Sequence, residues 1–389
     1  MVLLKAVFNI GASRLISAFI AFLISMVIMS KLSVESFGHF YFYLSIITLA
    51  TTLPAIGINN SYVFNSDKSL ESQFISLKLV MTLVYSLASY LLYLLGLISD
   101  TLVLVCLCTG FLFSFFDSHL SNFQCKKKFK SYAIQLPIKN LFILSIAIFF
   151  LSYFENAIYI YSLISIVIFF GLIFYYLKSF TWNLDLKKFQ LMAGGFYFFE
   201  ISSLIMIRSE TWWLKYFTES GAINADSLGI FGAAFTVCTV VSIASTAINS
   251  ALLPFIKKDH TLLSVKNIFF FSIAAVLFLS VYYFALYFVV EIFFKEKFQD
   301  SLTYVPLILL GMLFSFLAGI IRLDLIRREL LSYLNKVYIA QLLLTIIAGC
   351  ILIYLYGIKG AVIVFFGVRL IGFILIAIKY DFKTHKTFS

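Results

Sequence analysis

Twelve apolar runs, each about 20 residues long and separated by charge, Gly, Pro or Asn, dominate this sequence and restrict it more than any other feature. About 20 apolar residues in a helix cross roughly 30 Å of hydrocarbon, so the spacing predicts membrane-spanning helices over 10–30, 38–60, 74–96, 101–122, 132–152, 157–177, 191–213, 228–252, 267–290, 302–321, 333–355 and 359–378. The fold class expected is an all-α integral membrane protein. Composition agrees: 62% of the 389 residues are apolar and 12% are charged, about half the charge that covers a water-facing globule. The first run follows Lys5, is longer than a signal-peptide core and lacks a small-x-small cleavage site, so it reads as a retained helix.

The net charge of +11 does not point to nucleic acid in such a chain, because Lys and Arg collect in cytoplasmic loops. With both termini inside, 22 of the 29 basic residues fall on inner segments, counting Arg14, Lys78, Lys139 and Arg322 among them. The run Lys126-Lys127-Lys128-Phe129-Lys130 reads as a topology determinant, with contact to membrane lipid phosphates second. Trp182, Trp212 and Trp213 sit at helix ends, as interfacial belts do. The five cysteines, Cys106, Cys108, Cys125, Cys238 and Cys350, are odd in number and have no His at ligand spacing, so neither a disulfide framework nor a metal site is expected. No P-loop or catalytic constellation occurs; no cofactor is expected, and uphill transport would draw on an ion gradient.

The chain also repeats itself. Residues 131–178 align with 332–379 without a gap, sharing Ser131/Ser332, Tyr132/Tyr333, Tyr153/Tyr354, Gly171/Gly372 and Lys178/Lys379. Phe37-Gly38-His39-Phe40 pairs with Leu228-Gly229-Ile230-Phe231, and Ile58-Asn59 with Ile248-Asn249. Two six-helix lobes in the same orientation are therefore expected, 1–178 and 191–389, joined by a cytoplasmic linker over 179–190, with a path between them.

Leu32-Ser33-Val34-Glu35-Ser36-Phe37-Gly38-His39-Phe40, Gly57-Ile58-Asn59-Asn60, Leu228-Gly229-Ile230-Phe231, Pro254 and Gly357-Ile358-Lys359-Gly360-Ala361 together resemble the polysaccharide transporter family, which includes the O-antigen flippases of Wzx type. The resemblance covers nearly the whole chain. It implies the fold of the multidrug/oligosaccharidyl-lipid/polysaccharide exporter superfamily, with a central cavity open alternately to each side. It also implies an undecaprenyl-pyrophosphate-linked glycan as cargo, a bacterial inner membrane as location, and an O-antigen polymerase and chain-length regulator as partners. A drug or cation exporter of the same superfamily remains an alternative. A polymerase or ligase fits poorly, because the longest outer loop, Leu214 to Ser227, is about 14 residues.

A lipid-linked sugar needs polar and cationic groups along its path, so charges inside the spans are the candidate site. These are Arg14, Asp117, Glu200, Arg208 and Arg369, with Glu200 and Asp117 as candidate protonation sites. Glu200 lies about 15 Å from the inner end of its helix, too deep to snorkel. Arg369 is at similar depth and opposite in sign, so a Glu200–Arg369 pair is one reading and separate cavity roles another. Arg208 and Glu210 point to nearly opposite sides of one helix, and Glu210 is expected to reach the outer interface near Trp212 and Trp213. Arg14, about a turn inside the first span, divides between interfacial snorkelling and cavity lining. Asp117 and His119 are candidates for the inner mouth, and Lys139 for the cavity or the inner surface.

Overall fold

The computed structural model describes residues 2–65, 70–150, 157–181, 186–252 and 297–380, together with scattered positions among 273–284. Its elements are α1 (Val2–Lys31), α2 (Val34–Thr52), α3 (Ile58–Asn65), α4 (Glu71–Leu94), α5 (Thr101–Cys125), α6 (Phe129–Phe150), α7 (Ile158–Tyr176), α8 (Leu186–Glu219), α9 (Ser227–Leu252), α10 (Val305–Arg327), α11 (Leu331–Tyr356) and α12 (Ile358–Ile378). No strand occurs among the described residues. Among them eight helices are long and apolar enough to cross a membrane, or nine if α2 and α3 count as one bent span. The chain is an all-α, multi-pass membrane protein. The expected span 267–290 lies largely outside the described residues.

Helix ends follow local chemistry. Ser33 opens α2 by accepting the Ser36 N–H at 3.2 Å, and Asp100 opens α5 by accepting the Leu102 N–H at 2.8 Å. The second span does not end near residue 60 as expected from the sequence. It breaks by 50° and continues to Asn65. Pro54 enters a 3-10 turn over Leu53–Ala55, Ile56 has φ −50° and ψ 122°, and Gly57 has φ +71°. This is the backbone of a type II turn, whose third residue favours glycine. Helix α8 is longer than its expected span at both ends. Its start at Leu186 lies inside the expected linker, and at its far end a Lys215–Glu219 pair at 2.8 Å, one turn apart, helps carry the helix past Trp213.

The same pairing of helices occurs in each half. α1 packs on α6, α2 on α5 and α5 on α7; correspondingly, α8 packs on α11, α9 on α10 and α10 on α12. Across the halves α1 and α2 meet α9, while α2 and α3 meet α8.

The apolar core divides differently at the two ends of the helices. At the end holding the α1–α2 connection, one cluster spans both halves, joining Ile24, Ile28, Phe37, Phe40 and Tyr41 to Leu228, Phe231, Ala234, Ile308 and Phe365. At the opposite end the clusters separate. One gathers Phe196, Met206, Leu325, Leu334, Val368 and Tyr380 in the second half. The others gather Tyr62, Phe74, Phe115, Tyr132 and Phe169 in the first, with Phe189 at the start of α8. There the T-shaped contact of Phe64 with Phe196, 5.8 Å between centroids, reaches across. Between helices already in lipid, close packing and satisfied polar groups decide which faces stay together, so the molecule is closed at the end holding the α1–α2 connection, while at the other end the clusters formed by the described residues belong mostly to one half each.

Candidate functional site

The seam between α2/α3 and α8 is polar along its length. From the closed end, the Lys215 ammonium meets His39 Nδ1 at 2.8 Å, Trp212 Nε1 donates to Ser45 Oγ at 3.1 Å, and Arg208 Nη2 donates to Thr48 Oγ1 at 3.1 Å. At the helix break, the Gly57 N–H donates to Glu200 Oε2 at 2.6 Å and the Asn60 amide to Glu200 Oε1 at 2.6 Å. A carboxylate there takes up N–H groups left without helical partners and faces the positive end of the α3 dipole. The facing end is treated with the opposite sign. Lys78, 1% exposed, donates to the Pro54 carbonyl at 2.6 Å. A broken helix in lipid is tolerated when neighbours satisfy the freed backbone groups, and here two charged side chains do so. Lys78 and Arg322 are the cations acting on Glu200.

Several of the residues weighed from the sequence therefore lie elsewhere than expected. Glu200 is bonded to the break and not to Arg369. Arg369, 6% exposed, stacks its guanidinium over Phe365 at 4.8 Å and exchanges its strongest charge interaction with Glu210. Glu210 does not snorkel: it is 1% exposed, and neither of its oxygens meets a hydrogen-bond partner among the described residues. Lys78 is not a loop charge, because the carbonyl freed at Pro54 draws it into the protein. Trp212 and Trp213 are likewise helix contacts, Trp213 stacking on Phe217 with 5.8 Å between centroids.

A second group lies inside the first half. Arg14 is well inside α1, because that helix begins at Val2 and not near residue 10. It donates from Nη2 to Tyr132 Oη at 2.6 Å and covers the Tyr132 ring at 5.8 Å. Lys139 sits in α6 with its ammonium over Phe113 at 4.9 Å and Phe116 at 5.1 Å. Asp117 in α5 lies in the field of Lys139 first and Arg14 second. All three side chains are half-buried. Two cations with aromatic backing and one carboxylate make a site that suits an anion and can exchange a proton.

His119 departs from the expected inner mouth. It is 2% exposed and meets Tyr176 Oη at 2.6 Å, in a network where Asn122 also donates to Tyr176 at 3.1 Å and to Glu71 at 2.8 Å. That network ties α4, α5 and α7 together. Among the described residues no group of three or more His, Cys, Asp or Glu could hold a metal ion.

The family model described as "Polysaccharide biosynthesis protein" matches residues 3–260. The chain belongs to this polysaccharide biosynthesis family. Solved structures of similar shape include the MATE multidrug transporter DinF-BH, at 15% identity and a TM-score of 0.70 over 97% of this chain and 94% of that one. An outward-facing MATE transporter of the MOP superfamily matches at 12% identity and a TM-score of 0.66 over 98% and 96%. The lipid II flippase MurJ in an inward closed conformation matches at 15% identity and a TM-score of 0.63 over 96% and 87%. At these identities the likeness is one of fold. No curated protein matches the chain in sequence. The break at Gly57 and the residue holding it, Glu200, both lie inside the region matched by the polysaccharide biosynthesis family.

Proposed function

We propose that this chain is a flippase, not an enzyme, that moves an undecaprenyl-pyrophosphate-linked oligosaccharide, the O-antigen repeat unit, from the inner to the outer leaflet of a bacterial inner membrane. Family membership supports the cargo class. The observation that carries the reading is the half-buried cluster of Arg14, Lys139 and Asp117 in a molecule whose halves share one core at the end away from that cluster. In an alternating-access transporter closed at one end, the diphosphate of a lipid-linked sugar is the anion that two cations beside aromatic rings would take. In this reading the two lobes are 1–178 and 191–389, both termini are cytoplasmic, and the end holding the α1–α2 connection faces outward. The diphosphate meets Arg14 and Lys139. Asp117 and Glu200 are the groups whose protonation would couple transport to an ion gradient, while Arg208 and Arg369 lie along the same path. The polymerase and chain-length regulator receive the unit at the outer face.

The test is complementation of a deletion strain. Arg14→Ala and Lys139→Ala should each cut surface polysaccharide severalfold and together abolish it, while Lys128→Ala should leave it intact. Wild-type surface polymer in the double variant would refute the assignment of the diphosphate site. A cationic drug lost from cells more slowly in the same variants, with polymer unchanged, would favour the exporter alternative that Asp117 also suits.

A further inference from the structure

The closed end is held by an unusually close crossing. On α2, Val34, Gly38 and Tyr41 share one face, being spaced by four and then three residues. On α9 the facing residues are Gly229 and Gly232. A methyl group placed on Gly38 would lie 2.8 Å from the Gly229 backbone nitrogen and 3.2 Å from Leu228 Cβ. One placed on Gly229 would overlap the Val34 carbonyl oxygen, and one on Gly232 would lie 2.8 Å from Tyr41 Cγ. Neither Gly38 nor Gly229 has a positive φ. Their lack of a side chain therefore serves the approach of the two backbones and not a turn.

Gly38 and Gly229 are also the residues that the internal repeat sets in register. Both helices run the same way through the contact, since Val34 and Gly38 meet Gly229 while Tyr41 meets Gly232 and, ring to ring, Phe235 at 6.3 Å. Equivalent glycines of two parallel repeats touch only beside the axis that relates the halves. A path between two such halves runs along that axis, so whatever closes the path there closes it completely. Around the crossing lies the cluster shared by both halves, including Phe37 with Phe298 edge-on at 5.7 Å. Gly11, Gly171 and Gly367 have nothing within 4 Å of an added methyl group.

We infer that the Gly38–Gly229 crossing is the outer gate: the two backbones separate in each transport cycle and re-form the seal by direct contact, which a side chain at either position prevents. This rests on the alternating-access reading above, and its test reads the gate apart from the cargo.

With the five native cysteines replaced, Ser45→Cys, a fully buried position between α2 and α8, reports opening through its rate of reaction with a membrane-impermeant maleimide added outside. Adding Gly38→Leu should raise that rate about tenfold, corresponding to roughly 1.4 kcal/mol of bias toward the open state. Gly171→Leu should leave it unchanged. If Gly38→Leu does not yield folded protein, Gly38→Ala takes its place, and an unchanged rate in the folded variant overturns the inference. The second arm is Gly38→Cys with Leu228→Cys. Bridging needs Cβ atoms about 3.5–4.5 Å apart, a few tenths of an ångström beyond the contact seen. Oxidation should stop the lowered transport that the reduced double variant retains, and reductant should restore that lowered rate. Undiminished transport in the fully cross-linked protein would make the crossing a static contact and overturn the inference, whereas a gate that opens with no cargo moved would spare the gate and sink the flippase reading.

Discussion

α2/α3 and α9 occupy equivalent places in the two halves and share Gly38/Gly229 and Asn59/Asn249, yet one is broken and the other runs unbroken from Ser227 to Leu252. The difference is local. Pro54 and Gly57 stand where α9 has Ala244 and Ala247, and only the first half supplies Lys78 to one end of its break, with Glu200 reaching the other. A kink in lipid therefore comes as a set: the residues that break the helix and the charges that satisfy what the break frees. Because Glu200 comes from the other half, the break is also a joint between halves.

The sharpest way to break this comparison is to put the kink into α9 without the charges. Ala244→Pro should cost about 3 kcal/mol or more, since a proline inside a helix removes one backbone hydrogen bond and clashes with the preceding turn, and the melting temperature in detergent should fall accordingly. Next in size, Glu200→Ala leaves the Gly57 N–H and Asn60 amide without their acceptor. A charged hydrogen-bond partner lost from such a place costs about 1.5–3 kcal/mol, with Glu200→Gln retaining part. A smaller effect is expected of Gly57→Ala, where the left-handed backbone alone costs about 1–2 kcal/mol. The smallest is a coupling. Glu200→Gln and Arg369→Gln should add within about 0.5 kcal/mol because they share no partner among the described residues, whereas Glu210→Gln and Arg369→Gln should not add.

The fold class was readable because the length and apolarity of a span are one-dimensional properties. The glycines at the closed end were legible for a related reason: a close helix crossing needs residues without side chains, and Gly38 and Gly229 stand in the short matched stretch. Pairing among buried charges was not. Opposite sign and similar depth suggested Glu200 with Arg369, but rotation about each helix and the choice of neighbours decide such pairs, and α8 turns Glu200 to α3 and Glu210 to α12. The sequence signal for the pairing is Pro54-Ala55-Ile56-Gly57. A proline three residues before a glycine inside a span announces freed carbonyls and N–H groups, and Lys78 and Glu200 are the charges of the right sign. Arg14 was placed too near the interface because apolarity located the span but not the start of the helix.

The central claim is that lipid-linked sugar crosses the membrane through this protein past Arg14 and Lys139. It is tested most directly in vesicles holding the purified protein and a polyprenyl-pyrophosphoryl oligosaccharide, by following how much of the saccharide becomes accessible to a glycosidase added outside. The account predicts accessibility of the inner-leaflet pool with the wild-type protein and only the outer-leaflet fraction with Arg14→Ala/Lys139→Ala. Equal transfer by both proteins, or none by either in vesicles where the protein is folded and an ion gradient is imposed, would contradict it.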